Sequence, residues 1–264
     1  MTLFEVIVLA IIEGLTEFLP VSSTGHMIIA TALMGVPPTP FVKLFTIAIQ
    51  LGTILSVLAL YYRRFFRSLN FYYKLVVAAI PASVFGFLFS DAIDGLLESP
   101  MIVGIMLVLG GVVLLFVDKW FNKPVIADSD EISYAQALKI GFFQCLALIP
   151  GTSRSASTIV GGMTQHLTRK AAAEFSFFLA VPMMFGATVL KLKDHFDAGH
   201  VLSGVEINQL IVGNIIGFVV AIIAIKSFIG VVSKYGFRAF GWYRIIVGGI
   251  ILAMLLSGHS LQIL

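Results

Sequence analysis

Pro20-Val21-Ser22-Ser23 and Pro150-Gly151-Thr152-Ser153 decide how this chain folds. Each interrupts a largely apolar stretch and leaves two pieces that are short and polar for a membrane span. The first break separates predicted helical segments at 3–19 and 23–35, and the second separates 132–149 from 153–166. A spanning helix needs about 20 mostly apolar residues, so these four pieces are poor spans. Two short helices joined by a polar break can instead enter and leave by one side, as a re-entrant hairpin. Broken backbone is tolerated at membrane depth only where protein or a water-filled cavity surrounds it. Both breaks are therefore expected inside the protein.

The remaining sequence supplies the surroundings. The 264 residues are 59% hydrophobic and 12% charged, with a mean hydropathy of +1.02. A soluble domain carries about 25% charged residues, and this chain has too few to cover a water-facing surface. Cys145 is the only cysteine, which excludes an intrachain disulfide. A net charge of +3, with basic residues lying between apolar runs, argues against a nucleic-acid partner. Apolar runs at 41–62, 71–90, 100–121, 169–191, 207–230 and 240–258 are long enough to cross a bilayer. The reading is an all-α integral membrane protein of about ten helices: six full spans plus two re-entrant helix hairpins, in one membrane domain over 1–264. Met1–Leu19 carries Glu5, Glu13 and Glu17 and no basic leader region, so a cleavable signal is not expected.

Pro20 and Ser23 recur at one spacing as Pro150 and Ser153. Gly52 similarly anticipates Gly186, and Gly110-Gly111 anticipates Gly248-Gly249. Each half, about 1–121 and 132–258, would hold one hairpin and three spans. An odd number of crossings inverts the second half, as in many transporters. Tracing the crossings puts Arg63, Arg64, Arg67, Lys74, Lys119, Lys123, Arg169, Lys170, Lys226, Lys234 and Arg238 on one side. The other side receives Lys43, Lys191 and Lys193 among the acids Asp91, Asp94, Glu98, Asp194, Asp197 and Glu206. The positive-inside rule makes the first side cytoplasmic and predicts both termini outside. The two hairpin tips should then meet near the midplane.

The tips carry the chemistry. The first reads Glu13-Gly-Leu-Thr-Glu17-Phe-Leu-Pro20-Val-Ser22-Ser23-Thr24-Gly25-His26. Glu13 and Glu17 share a helix face at i,i+4, where like charges repel. The pair makes sense with a proton, an arginine or a divalent cation nearby, and carboxylate oxygens suit Mg²⁺ or Ca²⁺. A capping role for Ser22 and Ser23 and a core role for His26 are the plainer readings. Ionisable groups in a bilayer cost about 2.5–3.5 kcal/mol each on insertion scales and are usually functional, and their concentration here favours a site. The second tip reads Pro150-Gly151-Thr152-Ser153-Arg154-Ser155. Free N–H groups at a helix start attract anions, and the planar fork of Arg154 matches phosphate oxygens. A lipid-snorkelling arginine fits poorly beside such a break. Together the tips suit a diphosphate plus a divalent cation. Candidate diphosphate contacts are Arg154, Ser153, Thr152, Gly151, Ser22 and Ser155.

These two stretches, with Glu174-Phe-Ser-Phe-Phe-Leu-Ala-Val-Pro182, resemble the signature motifs of bacterial undecaprenyl-diphosphate phosphatases of the bacitracin-resistance (BacA) family. The resemblance covers essentially the whole chain. It implies hydrolysis of undecaprenyl diphosphate to the monophosphate carrier lipid and inorganic phosphate, which serves cell-wall synthesis and bacitracin resistance in a bacterial inner membrane. By motif position it implies functional roles for Glu13, Glu17, Ser23, His26, Ser153 and Arg154. Ser23 is the expected nucleophile with His26 as its base or as the acid for the leaving group; His26 or water attacking phosphorus stays open. The partners implied are a polyprenyl diphosphate lipid and the membrane, and the sequence is compatible with a homodimer.

A transporter or flippase for a phospholipid or anion is the competing reading, since broken helices at the midplane are transporter architecture. A transport site, however, needs affinity without a nucleophile or proton donor. Elsewhere, Glu174 is expected to pair with Arg169 or Lys170 at a helix end. Gln50 and Gln144 either bond a neighbouring helix or line the site, and Asp128-Ser129-Asp130-Glu131 is expected to be a solvated loop with an N-cap. His166, His195, His200 and His259 suggest no metal site.

Overall fold

The computed structural model describes residues 1–64, 69–97 and 99–258, so Arg67, Glu98 and His259 lie outside the described residues. Among the described residues the regular structure is helical, joined by turns and loops, with one isolated bridge between Ile126 and Leu167. In order the helices are α1 (Leu3–Thr16), α2 (Ser23–Met34), α3 (Pro40–Ala48), α4 (Gln50–Leu60), α5 (Leu69–Leu88), α6 (Ser90–Leu97), α7 (Pro100–Trp120), α8 (Tyr134–Cys145), α9 (Arg154–Thr164), α10 (Arg169–Asp197), α11 (Gly204–Tyr235) and α12 (Arg238–Leu256). Six stretches are long and apolar enough to cross a membrane: Pro40–Leu60, α5, α7, α10, α11 and α12.

Two departures from expectation have local causes. The span over 40–60 is two helices that meet at Ile49. The bend frees the Gly52 amide, which donates to Asn214 Oδ1 at 2.6 Å. A Cβ at Gly52 would collide with the Asn214 backbone, so only glycine allows this approach. The short helix α6 was not anticipated; it follows α5 directly and precedes Pro100 at the start of α7.

The long spans surround the broken pieces. α1 packs mainly on α11 and α8 on α5, while α7 and α12 form the most extensive helix pair. That pair crosses through glycine: a Cβ on Gly111 would reach the Gly241 carbonyl oxygen at 2.8 Å, and one on Gly248 the Gly104 carbonyl oxygen at 2.8 Å. Small residues let membrane helices approach closely, and Gly111 and Gly248 do so here. Gly249 and Gly186 face open space.

A charged knot ties α4 to the segment before α8. Arg64 pairs with Asp128, with Asp130 at 3.2 Å and with Glu174 at 2.7 Å. Burial disfavours its charge, but Asp130, Glu174 and Asp128 outweigh that and hold its pKa above the ordinary arginine value. Lys74 donates to the Asp130 carbonyl at 2.7 Å. The expected pairing of Glu174 with Lys170 is present, but Arg64 is its nearer partner. Lys170 stands at 4.0 Å, and Arg169 bonds Asp118 at 2.6 Å. Asp128 does cap, accepting from the Asp130 amide at 3.0 Å, but the loop is held by Arg64 and is not freely solvated.

Candidate active site

Each break turns on a serine in the left-handed half of backbone space. Ser22 has φ 68° and ψ 99°, and Ser153 has φ 75° and ψ 118°. Such a conformation costs a non-glycine residue about 1–3 kcal/mol, and the surroundings must hold it. The Ser22 carbonyl accepts from His26 Nδ1 at 2.8 Å. The Ser153 carbonyl accepts from Ser157 Oγ at 2.9 Å, and its Oγ accepts from the Ala156 amide at 3.3 Å. The sharp turns start α2 and α9 beside the tips, leaving first-turn N–H groups available to an anion.

The tips meet through Glu17. Ser23 Oγ donates to Glu17 Oε2 at 2.6 Å, and Arg154 of the second hairpin donates to Glu17 Oε1 at 3.0 Å. The other arm of Arg154 donates to Ser176 of α10, at 2.9 Å to its carbonyl and 3.2 Å to its hydroxyl. Thr158 in turn donates to Ser176 Oγ at 2.7 Å. Ser155 donates to the Leu19 carbonyl at 2.6 Å, a second tie between the hairpins. Glu13 lies one turn before Glu17 and is 1% exposed.

Three buried polar atoms here lack any partner among the described residues: Glu13 Oε1, Thr152 Oγ1 and Arg154 Nε. Buried polar groups are nearly always hydrogen-bonded, so an acceptor, a hydroxyl and a guanidinium N–H are left for a ligand. A cavity of about 460 Å³ reaches the cluster, with Glu13, Ser23 and Gln50 in its wall. Gln50 therefore lines the site. Gln144 is buried with neither amide atom partnered.

The profile of the family described as Bacitracin resistance protein BacA matches residues 6–250. The chain belongs to the BacA family. It is 58% identical to an undecaprenyl-diphosphatase of Flavobacterium johnsoniae over 100% of both chains. It is 53% identical to one of Porphyromonas gingivalis, again over 100% of each. A third, from Aquifex aeolicus, is 43% identical over 94% of this chain and 96% of its own.

Within this BacA-family chain the geometry sorts the expected residues. Glu17, Ser23 and Arg154 form one hydrogen-bonded unit, with Glu13 beside it. His26 is not joined to Ser23. Its Nε2 meets Tyr243 Oη at 2.7 Å, and the two rings lie parallel, 5.5 Å apart. A carbonyl can only accept, so the Ser22 contact assigns the proton to Nδ1 and makes neutral His26 accept from Tyr243 at Nε2. The Ser23–His26 pair expected from sequence is thus replaced by Ser23–Glu17. The Ser22 side chain makes no capping bond. Gly151 has φ 88° and presses on the Val103 backbone, which gives it a turn-forming place at the second tip.

The residue the sequence reading missed is Arg244 on α12, which is 0% exposed. It donates to five carbonyls: Pro20 at 3.1 Å, Gly151 at 2.9 Å, Thr152 at 3.0 Å, Met106 at 3.1 Å and Leu107 at 3.3 Å. One guanidinium fork thereby fastens both breaks to α7. The signal was present as an arginine inside the apolar run 240–258. Ser176 and Tyr243 carried no such mark.

Proposed function

We propose that this protein hydrolyses undecaprenyl diphosphate to undecaprenyl phosphate and inorganic phosphate, recycling the carrier lipid for cell-wall synthesis and conferring bacitracin resistance. The observation that carries this reading is the Ser23–Glu17–Arg154 unit, with unpartnered Arg154 Nε, Thr152 Oγ1 and Glu13 Oε1 around it. The names of the full-length relatives supply the substrate.

In this mechanism Glu17 accepts the Ser23 hydroxyl proton as Ser23 Oγ bonds the terminal phosphorus. The bond from that phosphorus to the bridging oxygen breaks, undecaprenyl phosphate leaves, and water then cleaves the phosphoserine to release inorganic phosphate and restore Ser23. An adjacent base is what makes a serine a competent nucleophile. Arg154, held by Ser176 and Glu17, presents its free Nε–H to a phosphate oxygen and stabilises charge that builds in the transition state. The α2 and α9 N-termini supply further donors. His26, whose proton lies on Nδ1 toward Ser22, has only the basic Nε2 to offer and is assigned as the base for the water of the second step.

Among the described residues no three His, Cys, Asp or Glu side chains cluster as a metal site. Glu13 and Glu17 still fit a hard divalent cation completed by phosphate oxygens, because Glu13 offers a buried oxygen with no other partner. Mg²⁺ or Ca²⁺ held there would neutralise diphosphate charge.

The chain is proposed to be two inverted halves, about 1–121 and 132–258, in a bacterial inner membrane with both termini outside. The matching turns at Ser22 and Ser153 support that arrangement. Phosphate release from a polyprenyl diphosphate by purified protein in detergent, with and without EDTA, tests the activity. No release in either condition would refute it.

A further inference from the structure

We propose that the outer part of the cavity above Glu13 and Ser23 is a separate phosphate-binding subsite formed by Lys43, Lys191, His195 and His200. It rests on the phosphatase reading only for the identity of the anion passing through. All four residues line the same cavity as Glu13 and Ser23. Lys43 comes from α3, Lys191 and His195 from the end of α10, and His200 from the turn that follows.

His195 is the informative member. It is 9% exposed, it lines the cavity, and its ring makes no hydrogen bond to any described residue. Its ring centroid lies 4.9 Å from that of His200, and that contact uses no ring N–H. A buried imidazole normally has polar partners, and here the cavity is where one would sit. Lys43 makes no ion pair among the described residues. Lys191 has only Asp194, at 3.9 Å.

Asp194 also lines the cavity, as does Glu13, and Glu206 is close enough to His195 to interact with its charge. The two ammonium groups and two imidazoles of the proposed subsite are set against these acids. Ammonium and imidazole N–H donors arranged around an open volume suit a tetrahedral oxyanion, which accepts from several directions. Lysine binds phosphate as a point charge without a required approach angle, which suits a station where the anion pauses in transit. The phosphate group has two sources. It is either orthophosphate leaving the floor, or the distal phosphate of the lipid arriving.

The test uses full-length protein purified in detergent, with orthophosphate as the probe. Titration calorimetry measures its binding, and product inhibition measures its effect on turnover. The Lys43→Gln/His195→Gln double variant should bind orthophosphate about tenfold more weakly, the loss of one to two charge-assisted contacts. With the KM for lipid unchanged, that result assigns the subsite to released phosphate. A raised lipid KM at constant kcat, with orthophosphate affinity intact, assigns it to the lipid head. Orthophosphate affinity and lipid KM both within twofold of wild type would overturn the subsite. Lys191→Gln gives a second reading if the double variant folds poorly. Glu17→Gln separates the two claims, because it should abolish turnover yet keep orthophosphate binding at the rim.

Discussion

Ser23 reaches back over the first break to donate its hydroxyl proton to Glu17 at 2.6 Å, and the same carboxylate takes a guanidinium N–H of Arg154 at 3.0 Å. One carboxylate thus serves Ser23 with one oxygen and Arg154 with the other. Ser23→Ala and Glu17→Gln should each lower kcat by about a hundredfold or more. The double variant should be little worse than either, because residues acting as a unit are not additive. Independent, multiplying losses in a double-variant cycle would show that the two do not work together.

Arg154→Lys keeps the charge and drops the fork. Lysine has three N–H donors, but they radiate from one nitrogen and cannot span Glu17 and Ser176 as the two terminal guanidinium nitrogens do while Nε–H faces substrate. The variant should insert and purify normally, with kcat/KM at least about tenfold lower, equivalent to about 1.4 kcal/mol of transition-state binding. Steady-state kinetics at wild-type values would reduce Arg154 to a counter-ion.

Tyr243→Phe removes the donor to His26 Nε2 and keeps the ring beside it. The loss of one neutral hydrogen bond is worth about 1 kcal/mol. Turnover should fall about threefold to tenfold with the melting temperature nearly unchanged, and His26→Ala should fall much further. A Tyr243→Phe enzyme indistinguishable from wild type would mean that the phenol does not position the imidazole.

Arg244→Gln should damage folding before it damages chemistry. It strands several carbonyls inside the protein, and breaking a buried charged cluster typically costs about 3–5 kcal/mol. We expect a large drop in melting temperature in detergent. A normal melting temperature would show that the breaks hold themselves.

Both termini should lie outside. A reporter that works only in the cytoplasm, fused to the C-terminus, should stay silent. Strong signal would reverse the proposed orientation.

Much of this architecture was legible because bilayer physics writes it plainly. Apolar length located the six spans to within a few residues at most ends, and proline, glycine and serine located the breaks. Glu17, Ser23 and Arg154 were legible because polar groups beside a break in an apolar chain need a reason to be there. Their pairing was not. Periodicity reports which face a residue occupies and says nothing of which residue a distant hairpin brings to it. For that reason His26 was assigned to Ser23 although Tyr243, 217 residues later, is its partner. Arg244 was visible as a charge inside an apolar run, but its hydrogen-bond partners among the described residues are backbone carbonyls, which leave no trace in the sequence of side chains. The bend at Ile49 was hidden for the same reason, since its compensating donor–acceptor pair joins Gly52 to Asn214 on another helix.

The position of Arg244 in the chain also bears on biosynthesis. It sits on α12, the final helix described, and a ribosome delivers it after every carbonyl it will hold. A nascent protein therefore carries Glu17, Ser23 and Arg154 into the bilayer with their supporting loops still unfastened. The final described helix closes the assembly, so a chain truncated before it would hold those groups without the brace that sets them.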